Sequence, residues 1–410
     1  MGCSGCCQVS TNPPIKYINQ YPPIKPDIKE NETFKKIRLI GRGSFGKVYL
    51  IKSKTTKKEF ALKEIELEES KLKSNTITGE VNILRKLDHP NIISFKGAFN
   101  SNDHKFLNII TEYADNGDFE EIIKIHSIDK KYFGEEDILN WLFQVCLALQ
   151  CLHENSIVHR DIKPSNIFLM ENNTIKLGDF GLSKIISPLH RTKTLAGTPL
   201  YSAPELLKEI EEIKKAKKKK DIKLKEYSYE VDIWSLGVTF CHIMSLEIPF
   251  NSVDDVINNV KKKTIFNKEK NCYIEKIEKK YSKEFLDLID KMMTYEPSQR
   301  PTVEDILQKD IIRERMRSYL KENEFNENEA TKAINNYIEK FGSIGKGDEK
   351  SSLFYIKSED NNEDNLDVSH TSCMTDPLKE AKKKYEFVIQ LTLINNFLNR
   401  SKTLNPNKKV

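Results

Sequence analysis

From Phe34 onward, apolar and polar residues alternate along three short stretches of the chain. Their sequences are FKKIRLI, GRGSFGKVYLI and EFALKEI, and a period of two residues is typical of half-buried β-strands. Two later stretches, DHPNIISFKGAF and FLNIITEYADNGDF, predict two further strands and a connector. The first part of the folded region is therefore predicted to be a small, mostly antiparallel β lobe.

The pattern changes to helical periodicity beyond this region. Residues 139–153 and 231–246 are apolar around almost the whole helical circumference, which predicts two buried helices. Cys146 and Cys151 lie in the first of them and are expected to be core thiols. The stretch IFLMENNTIKLG predicts two short strands around a polar turn, and a helix near 306–320 is expected to close the domain. These elements predict an α+β protein with a larger, mainly helical second lobe.

Composition divides the chain into three parts. Residues 1–33 are rich in proline and predict an extended tether, and residues 34–315 form the folded domain. The lysine-rich stretch 208–226 interrupts that domain; we interpret it as a solvated face, with a helical insertion that attracts anionic membranes or acidic substrates as the alternative. Residues 316–410 form a C-terminal extension that is expected to be partly helical and partly disordered.

Two helices are predicted in the C-terminal extension, a short one over 330–341 and a second one over 383–398, with an acidic stretch at 358–367 between them. The second has Phe387, Leu391, Ile394 and Leu398 at helical spacing, which predicts one apolar face. Such a face is compatible with docking on the folded domain, with dimerisation and with membrane contact. Folding back onto the domain is the interpretation we favour.

Charge and cysteine content restrict the class of protein. The net charge of +5 over 410 residues comes from local lysine runs opposed by acidic runs, which argues against nucleic acid as the main partner. No run of about 18 apolar residues is present, so no membrane-spanning helix is predicted. The eight cysteines follow no disulfide framework and no signal-peptide core precedes them, which favours a reduced, cytoplasmic setting.

The first seven residues, MGCSGCC, place a glycine after the initiator methionine and three thiols beside it. This resembles the start of dually acylated peripheral membrane proteins, in which a myristoyl group and a second acyl chain together give stable anchoring. Acylation is therefore expected at Gly2, Cys3, Cys6 and Cys7, which would hold the protein on the cytosolic face of a membrane. An unmodified tail is the alternative, and a zinc site is disfavoured because further ligands are missing nearby.

The stretch IVHRDIKPSN, residues 157–166, carries the strongest chemical signal. It places Asp161 and Asn166 five positions apart behind a His-Arg pair, and Asp179 follows in the sequence GDFG. With the glycine-rich turn upstream, these motifs resemble those of eukaryotic Ser/Thr protein kinases over residues 34–315. The forms DIKPSNIFL and GDFGLSK are most similar to the NIMA-related kinases. The resemblance implies a two-lobed protein kinase-like fold.

The resemblance assigns roles to the residues of this motif. Asp161 is expected to accept the proton of the substrate hydroxyl, Lys163 to neutralise the transferring phosphate, and Asn166 and Asp179 to bind Mg²⁺. His159 is interpreted as a structural histidine that packs the loop. The resemblance implies ATP and Mg²⁺ as cofactors. Lysine two positions after the aspartate is the form found in Ser/Thr kinases, which favours protein hydroxyls as the substrate.

The glycine-rich turn and the strand after it predict the ATP site. Glycines allow backbone amides to approach phosphate oxygens, and Lys63 is expected to pair with the α- and β-phosphates. Glu80 opens a helical pattern and is the favoured carboxylate partner of Lys63, over the glutamates at 64, 66, 68 and 69. The remaining predicted ATP contacts in this region are Ile40, Gly41, Arg42, Gly43, Ser44, Phe45, Gly46, Lys47, Val48 and Ala61.

The resemblance also implies contacts at the back of the nucleotide pocket. Thr111 would guard the pocket, although an ordinary strand threonine is the alternative interpretation. Glu112 and Ala114 would bound the hinge whose backbone bonds adenine, and Asp118 is expected to reach the ribose.

The segment from Leu182 to Glu205 resembles a kinase activation segment that ends in Ala-Pro-Glu. Thr194 matches the usual phosphorylation position, with an unmodified loop threonine as the alternative, and Thr198 resembles the threonine that bonds the catalytic Asp and Lys. Arg160 is expected to pair with the activation-loop phosphate. By the same resemblance, Asp232 caps the backbone of the catalytic loop, and Arg300 pairs with Glu205.

The sequence therefore predicts an ATP-dependent Ser/Thr protein kinase regulated by activation-loop phosphorylation. Three other functions use similar motifs. A pseudokinase scaffold is disfavoured because the nucleotide, metal and base residues are all present, and a dinucleotide-dependent dehydrogenase because a strand, not a helix, follows the glycines. A kinase for lipids or small molecules is disfavoured by Lys163 and the Ala-Pro-Glu segment.

Overall fold

The structure is a computed structural model that describes part of the 410-residue chain, namely residues 34–43, 46–54, 56–66, 87, 89–101, 105–170, 173–179, 199–215, 229–259, 277–326, 328, 391, 394, 395 and 398. The predicted tether, the helix at 330–341, the acidic stretch and most of the lysine-rich insertion lie outside these residues. So do the following predicted site residues: Gly2, Cys3, Cys6, Cys7, Ser44, Phe45, Glu80, Thr194 and Thr198.

The small lobe is an antiparallel sheet of five strands, as the alternation of apolar residues predicted. The strands follow the spatial order β1-β2-β3-β5-β4, so the last two along the chain exchange places. Their bounds are β1 Phe34–Gly43, β2 Gly46–Ser53, β3 Glu59–Glu66, β4 Phe95–Asn100 and β5 Phe106–Glu112.

Residues on one face of this sheet form a small apolar core. Leu62 on β3 lies opposite Ile110 on β5, and both side chains are buried with Ile51 and Phe99. Because side chains of a strand alternate between the two faces, the neighbours Ala61 and Lys63 lie on the opposite face. The candidate nucleotide residues Ala61 and Lys63 thus lie on the face of the sheet opposite this small core.

The larger lobe contains seven α-helices and a two-stranded sheet within the residues that the structure describes. The strands are β6 Ile167–Leu169 and β7 Ile175–Leu177, which pair antiparallel. The helices are α1 Phe119–Asp129, α2 Glu135–Glu154, α3 Pro204–Lys215, α4 Glu230–Ser245, α5 Lys283–Met292, α6 Val303–Leu307 and α7 Asp310–Glu322.

Both predicted buried helices are confirmed. Helix α2 and helix α4 lie in the centre of the larger lobe, and Trp234 of α4 is fully buried. Cys146 and Cys151 are buried in α2, as expected for core thiols. Helix α5 packs closely on α4, as shown by the distance of only 3.0 Å between a Cβ added at Gly237 of α4 and Met292 Cβ at the end of α5.

The single closing helix predicted near 306–320 is two helices in the structure. Helix α6 begins with a capping box, in which Thr302 Oγ1 accepts a bond from Asp305 N and Asp305 Oδ2 accepts one from Thr302 N. The backbone of Lys309 is extended, so the chain turns there before α7 begins. Apolar periodicity continues across this break, which is why the sequence did not reveal it.

The predicted folding back of the C-terminal extension is confirmed at three positions. Leu391, Ile394 and Leu398 are almost fully buried and belong to the main apolar cluster of the larger lobe. Among the described helices, none is both long enough and apolar enough to cross a membrane.

Candidate active site

The loop between α2 and β6 holds three polar side chains in one hydrogen-bonded group. Lys163 Nζ donates to both carboxylate oxygens of Asp161, at 2.9 Å and 2.8 Å. Asn166 Nδ2 donates to Asp161 O at 2.7 Å and to Asp161 Oδ2 at 3.0 Å. The Asp161 carboxylate is therefore fixed from two sides, and it remains partly exposed to solvent.

Two bonds join this loop to Gly178, which lies between β7 and Asp179. Gly178 N donates to Asn166 O at 2.8 Å, and His159 Nε2 lies 3.1 Å from Gly178 O. His159 is fully buried, and this burial lowers the pKa of its imidazole below the usual range despite the nearby carboxylates. A neutral histidine that donates from Nε2 and accepts the Asp161 N–H at Nδ1 fits the predicted structural role.

Lys63 of β3 forms an ion pair with Asp179. The side chain of Asp179 is 32% exposed, and its partial burial would raise the pKa of the carboxyl group. The charge and hydrogen bond of Lys63, with a further contribution from Lys163, outweigh this effect and hold the pKa below its usual range. Asp179 is thus an ionised carboxylate between two lysines. The predicted partner Glu80 lies outside the described residues, so the structure does not test that pairing.

Two residues of the site have left-handed backbone conformations. Arg160 has φ of 67° and Asp179 has φ of 58°, and such conformations cost of order 1–3 kcal/mol in residues other than glycine. Asp232, fully buried in α4, offsets this cost at Arg160: its carboxylate accepts bonds from His159 N at 2.9 Å and Arg160 N at 2.7 Å. The predicted capping of the loop by Asp232 is confirmed.

The oxygen atoms of this site suit a magnesium ion. Both hydrogen bonds of the Asn166 amide use its nitrogen, so Oδ1 is the atom left to coordinate a cation. Asp179 supplies an ionised carboxylate, and Mg²⁺ prefers such hard oxygen ligands. The donor set therefore fits Mg²⁺, with further ligands to come from water and nucleotide phosphates.

The glycine-rich turn joins β1 to β2 beside Lys63. Val48 lies opposite Lys63 in the β2–β3 register, and Arg42 lies opposite Lys47 across the turn. Gly46 has φ of 152°, and a Cβ there would lie 1.9 Å from Glu64 O. Glycine at this position is required by the close approach of β3, which is a different reason from the phosphate contacts that the sequence suggested. The half-buried residues Ile40, Gly41, Val48 and Ala61 also line this region.

Strand β5 leads from the sheet into the predicted hinge. Thr111 lies opposite Ala61 of β3, and Ala114 is buried just beyond the strand. Asp118 caps helix α1 by accepting a bond from Glu121 N at 3.1 Å, and burial raises the pKa of its carboxyl group. The structure gives Asp118 this capping function, and the ribose contact stays a prediction.

The Ala-Pro-Glu segment is held at its end by an ion pair. Arg300 donates from Nη1 and Nη2 to the two carboxylate oxygens of Glu205, at 2.7 Å and 2.9 Å, so the predicted pair is confirmed. Tyr201, four residues before Glu205, lies with its hydroxyl 2.8 Å from His242 Nδ1 of α4. Burial lowers the pKa of His242 to about 4, so this histidine is neutral at pH 7.

Sequence reasoning missed several polar contacts around the site. Lys176 on β7 is buried and donates to Glu112 Oε1 at 2.9 Å, and His153 of α2 lies 2.9 Å from Asp232 Oδ2. A lysine inside the short apolar strand IKL was the available signal, since a buried lysine is rare without a partner.

Comparison with known proteins agrees with this geometry. A family model described as the protein kinase domain matches residues 34–312. The chain belongs to the protein kinase family. In this protein kinase, Asp161, Lys163 and Asn166 lie on the loop between α2 and β6, and Asp179 follows shortly after β7.

Several relatives of this protein kinase carry the name Nek, which agrees with the predicted resemblance to NIMA-related kinases. One is the probable serine/threonine-protein kinase nek3 of Dictyostelium discoideum, 36% identical over 305 residues that make up 73% of this chain and 25% of that protein. Nek3 of Mus musculus is 35% identical over 278 residues, 66% of this chain and 48% of that protein. Nek5 of Homo sapiens is 33% identical over 287 residues, 69% and 37% respectively. The chain thus spans between a quarter and half of these relatives.

Proposed function

We propose that this protein kinase transfers the γ-phosphoryl group of Mg-ATP to serine and threonine hydroxyls of proteins. The observation that carries the proposal is the bonded group around Asp161, together with its connection through Gly178 to the ion pair of Asp179 and Lys63. Phosphoryl transfer depends mainly on positioning and electrostatics, so an array of fixed charges is what the reaction needs. The relatives, which are named serine/threonine-protein kinases, support the choice of hydroxyl.

Each polar residue has a defined task in this proposal. Asp161 orients the substrate hydroxyl and takes its proton as the new O–P bond forms and the bond to the ADP oxygen breaks. Lys163 supplies positive charge beside the transferring group, and Lys63 holds the α- and β-phosphates. Asn166 and Asp179 would hold Mg²⁺, which neutralises the phosphate charge when it is bound.

Nucleotide binding is assigned to the cleft between the lobes. The turn residues from Ile40 to Val48 and the strand residue Ala61 would contact the phosphates and the adenine face. The backbone near Glu112 and Ala114 would bond the adenine edge. The support is the register of the strands, which places Val48 and Ala61 on the same side of the sheet as Lys63.

Activation-loop phosphorylation is the second part of the proposal. Thr194 is the proposed phosphate acceptor, Arg160 its partner, and Thr198 the residue that bonds Asp161 and Lys163. The strained backbone of Arg160, held by the buried Asp232, fixes this arginine beside Asp161 and supports its assignment.

The test is transfer of labelled γ-phosphate from Mg-ATP to a generic protein substrate and to the kinase itself. Asp161→Asn should reduce transfer at least a hundredfold, since it removes the base and keeps the size of the side chain. The matched control Asp254→Asn, at an exposed position, should retain wild-type transfer. We expect the transferred phosphate to be found on serine or threonine residues, with some of it on Thr194.

Two results would contradict the proposed function. A wild type that binds Mg-ATP but transfers nothing, even after its activation loop has been phosphorylated, would make this protein a scaffold on the kinase fold. Transfer to lipid vesicles without transfer to protein would favour the lipid-kinase alternative.

A further inference from the structure

An ion pair between a buried lysine and a half-buried glutamate joins the two lobes beside the predicted nucleotide cleft. Lys176 lies on β7 of the larger lobe, and its side chain is only 4% exposed. Its Nζ donates at 2.9 Å to Oε1 of Glu112, the last residue of β5 in the small lobe. The motifs used in the proposed function do not include this contact.

The connecting segment 91–94 surrounds this ion pair with backbone bonds to both lobes. Ser94 N donates to Glu112 Oε1 at 2.7 Å, and Glu112 N donates to Ser94 O at 3.0 Å. At the other end of the segment, Leu177 N donates to Asn91 O at 2.8 Å and Ile93 N donates to Leu177 O at 2.9 Å. The pair of Lys176 and Glu112 therefore closes a ring that holds the end of β5 against β7.

Lys176 and Glu112 carry opposite charges that neutralise each other. Burial would raise the pKa of Glu112, but the charge of Lys176, with smaller contributions from Lys96 and from the hydrogen bonds of Lys176 and Ser94, holds the pKa below its usual range. His89 stays neutral because burial and the nearby Lys176 charge lower its pKa to about 3. Glu112 is thus an ionised, half-buried carboxylate whose charge Lys176 neutralises.

A buried ion pair is a poor source of stability, since desolvation of the two charges offsets much of their attraction. Its effect is directional: two hydrogen-bonded charges permit one relative position of their strands, whereas apolar side chains permit several. Glu112 begins the predicted adenine hinge, and Lys176 lies three residues before Asp179. The pair therefore connects the two parts of the site that the opposite ends of ATP would contact.

We infer that Lys176 and Glu112 are positioning residues for the nucleotide, whose ion pair sets the hinge at a fixed position relative to Asp179. This inference rests on the proposed function, because it assumes that adenine binds at the hinge and that the phosphates and metal bind near Asp179. With the pair intact, both ends of ATP are held at once. Without it, each end still has its contacts but the two are no longer aligned.

The experiment compares nucleotide affinities of the full chain and of four variants. Lys176→Met and Glu112→Gln remove one charge each, their double variant removes both, and Lys176→Arg keeps the positive charge. Lys321→Met and Glu314→Gln, at exposed positions of α7, are the matched controls. The measurements are Kd for Mg-ATP, Kd for adenosine, KM and kcat for ATP, and the thermal unfolding temperature.

We expect Lys176→Met and Glu112→Gln each to weaken Mg-ATP binding about tenfold or more and to change adenosine binding less than threefold. Adenosine contacts only the hinge, so its affinity should not depend on how the hinge is aligned with Asp179. The double variant should be no weaker than the single variants, because both changes remove the same interaction. Lys176→Arg should bind Mg-ATP within threefold of wild type, and both controls should match wild type.

Three results would overturn the inference. One is unchanged Mg-ATP affinity with a lower unfolding temperature, which would make the pair purely structural. Another is an equal loss of affinity for Mg-ATP and for adenosine. The third is a higher kcat, which would mean that the ion pair restrains the catalytic step. If Lys176→Met fails to fold, Glu112→Gln still tests the inference, because the glutamine side chain can keep accepting the bond from Ser94 N. A wild type that binds Mg-ATP without transferring phosphate refutes only the proposed function, whereas one that binds no Mg-ATP refutes both.

Discussion

Arg300 and Glu205 form a bidentate ion pair that anchors the end of the Ala-Pro-Glu segment in the larger lobe. The arginine side chain is fully buried, and it also donates to the carbonyl oxygens of Glu230, Thr294 and Tyr295. One side chain thus connects helices α3 and α4 with the loop after α5.

Arg300→Leu should lower the free energy of unfolding by about 3–5 kcal/mol, since it leaves the Glu205 carboxylate and several carbonyls without their donor. Urea-induced unfolding measures this change. Arg317→Leu, at an exposed position of α7, is the control and should change stability by less than about 0.5 kcal/mol. Equal stability of the two variants would contradict the structural importance of the pair.

Asp232→Asn should reduce kcat more than it changes KM for ATP. The amide keeps one acceptor oxygen where the carboxylate has two, so either His159 N or Arg160 N loses its bond and the strained loop shifts. The unpaired buried group should also cost about 1–3 kcal/mol of stability. Steady-state kinetics and thermal unfolding test both effects, with the exposed Asp287→Asn as the control. Wild-type kcat in Asp232→Asn would refute the positioning of the loop by this carboxylate.

Gly46→Ala should destabilise the small lobe even without nucleotide. A Cβ would lie 1.9 Å from Glu64 O, so β2 and β3 must separate, and the backbone conformation adds about 1–3 kcal/mol of strain. Gly41→Ala is the matched control, because its Cβ would lie 3.8 Å from Val48 Cβ, an ordinary contact distance. Thermal unfolding of both variants in the absence of ATP separates the two cases, and indistinguishable unfolding temperatures would contradict the prediction.

Ile394→Ala should lower the free energy of unfolding by about 2–5 kcal/mol, the usual cost of truncating a fully buried isoleucine. The control is Ile128→Ala in α1, because Ile128 is 82% exposed and its truncation should have almost no effect. Denaturant unfolding of the full chain measures both changes. A negligible effect at Ile394 would mean that the C-terminal extension does not belong to the core of the larger lobe.

The acylated N-terminus stays a prediction, because Gly2, Cys3, Cys6 and Cys7 lie outside the described residues. In cells, labelled myristate should be incorporated into the wild type and lost in Gly2→Ala, and labelled palmitate should be lost when the three cysteines are changed to serine. Membrane fractionation should then show release of both variants. The control Gly5→Ala lies in the same segment and should retain both labels.

Local patterns determined much of this protein. Alternating residues predicted the five strands of the small lobe, and apolar residues around the full helical circumference predicted α2 and α4. The Asp161–Asn166 spacing placed those side chains on one loop, because residues five positions apart cannot move far from each other. The family followed from the order of the motifs, which a linear sequence displays directly.

Other relationships were decided only by the tertiary structure. Lys63 and Asp179 form an ion pair although they lie 116 positions apart in the sequence, and no local pattern around either residue indicates that they meet. Glu112 and Lys176 form an ion pair because segment 91–94 holds the ends of β5 and β7 together. The requirement for glycine at position 46 likewise comes from the carbonyl of Glu64 on the adjacent strand. The physical reason is the same in each case: periodicity records which face of an element is apolar, whereas the packing of elements determines which polar groups meet.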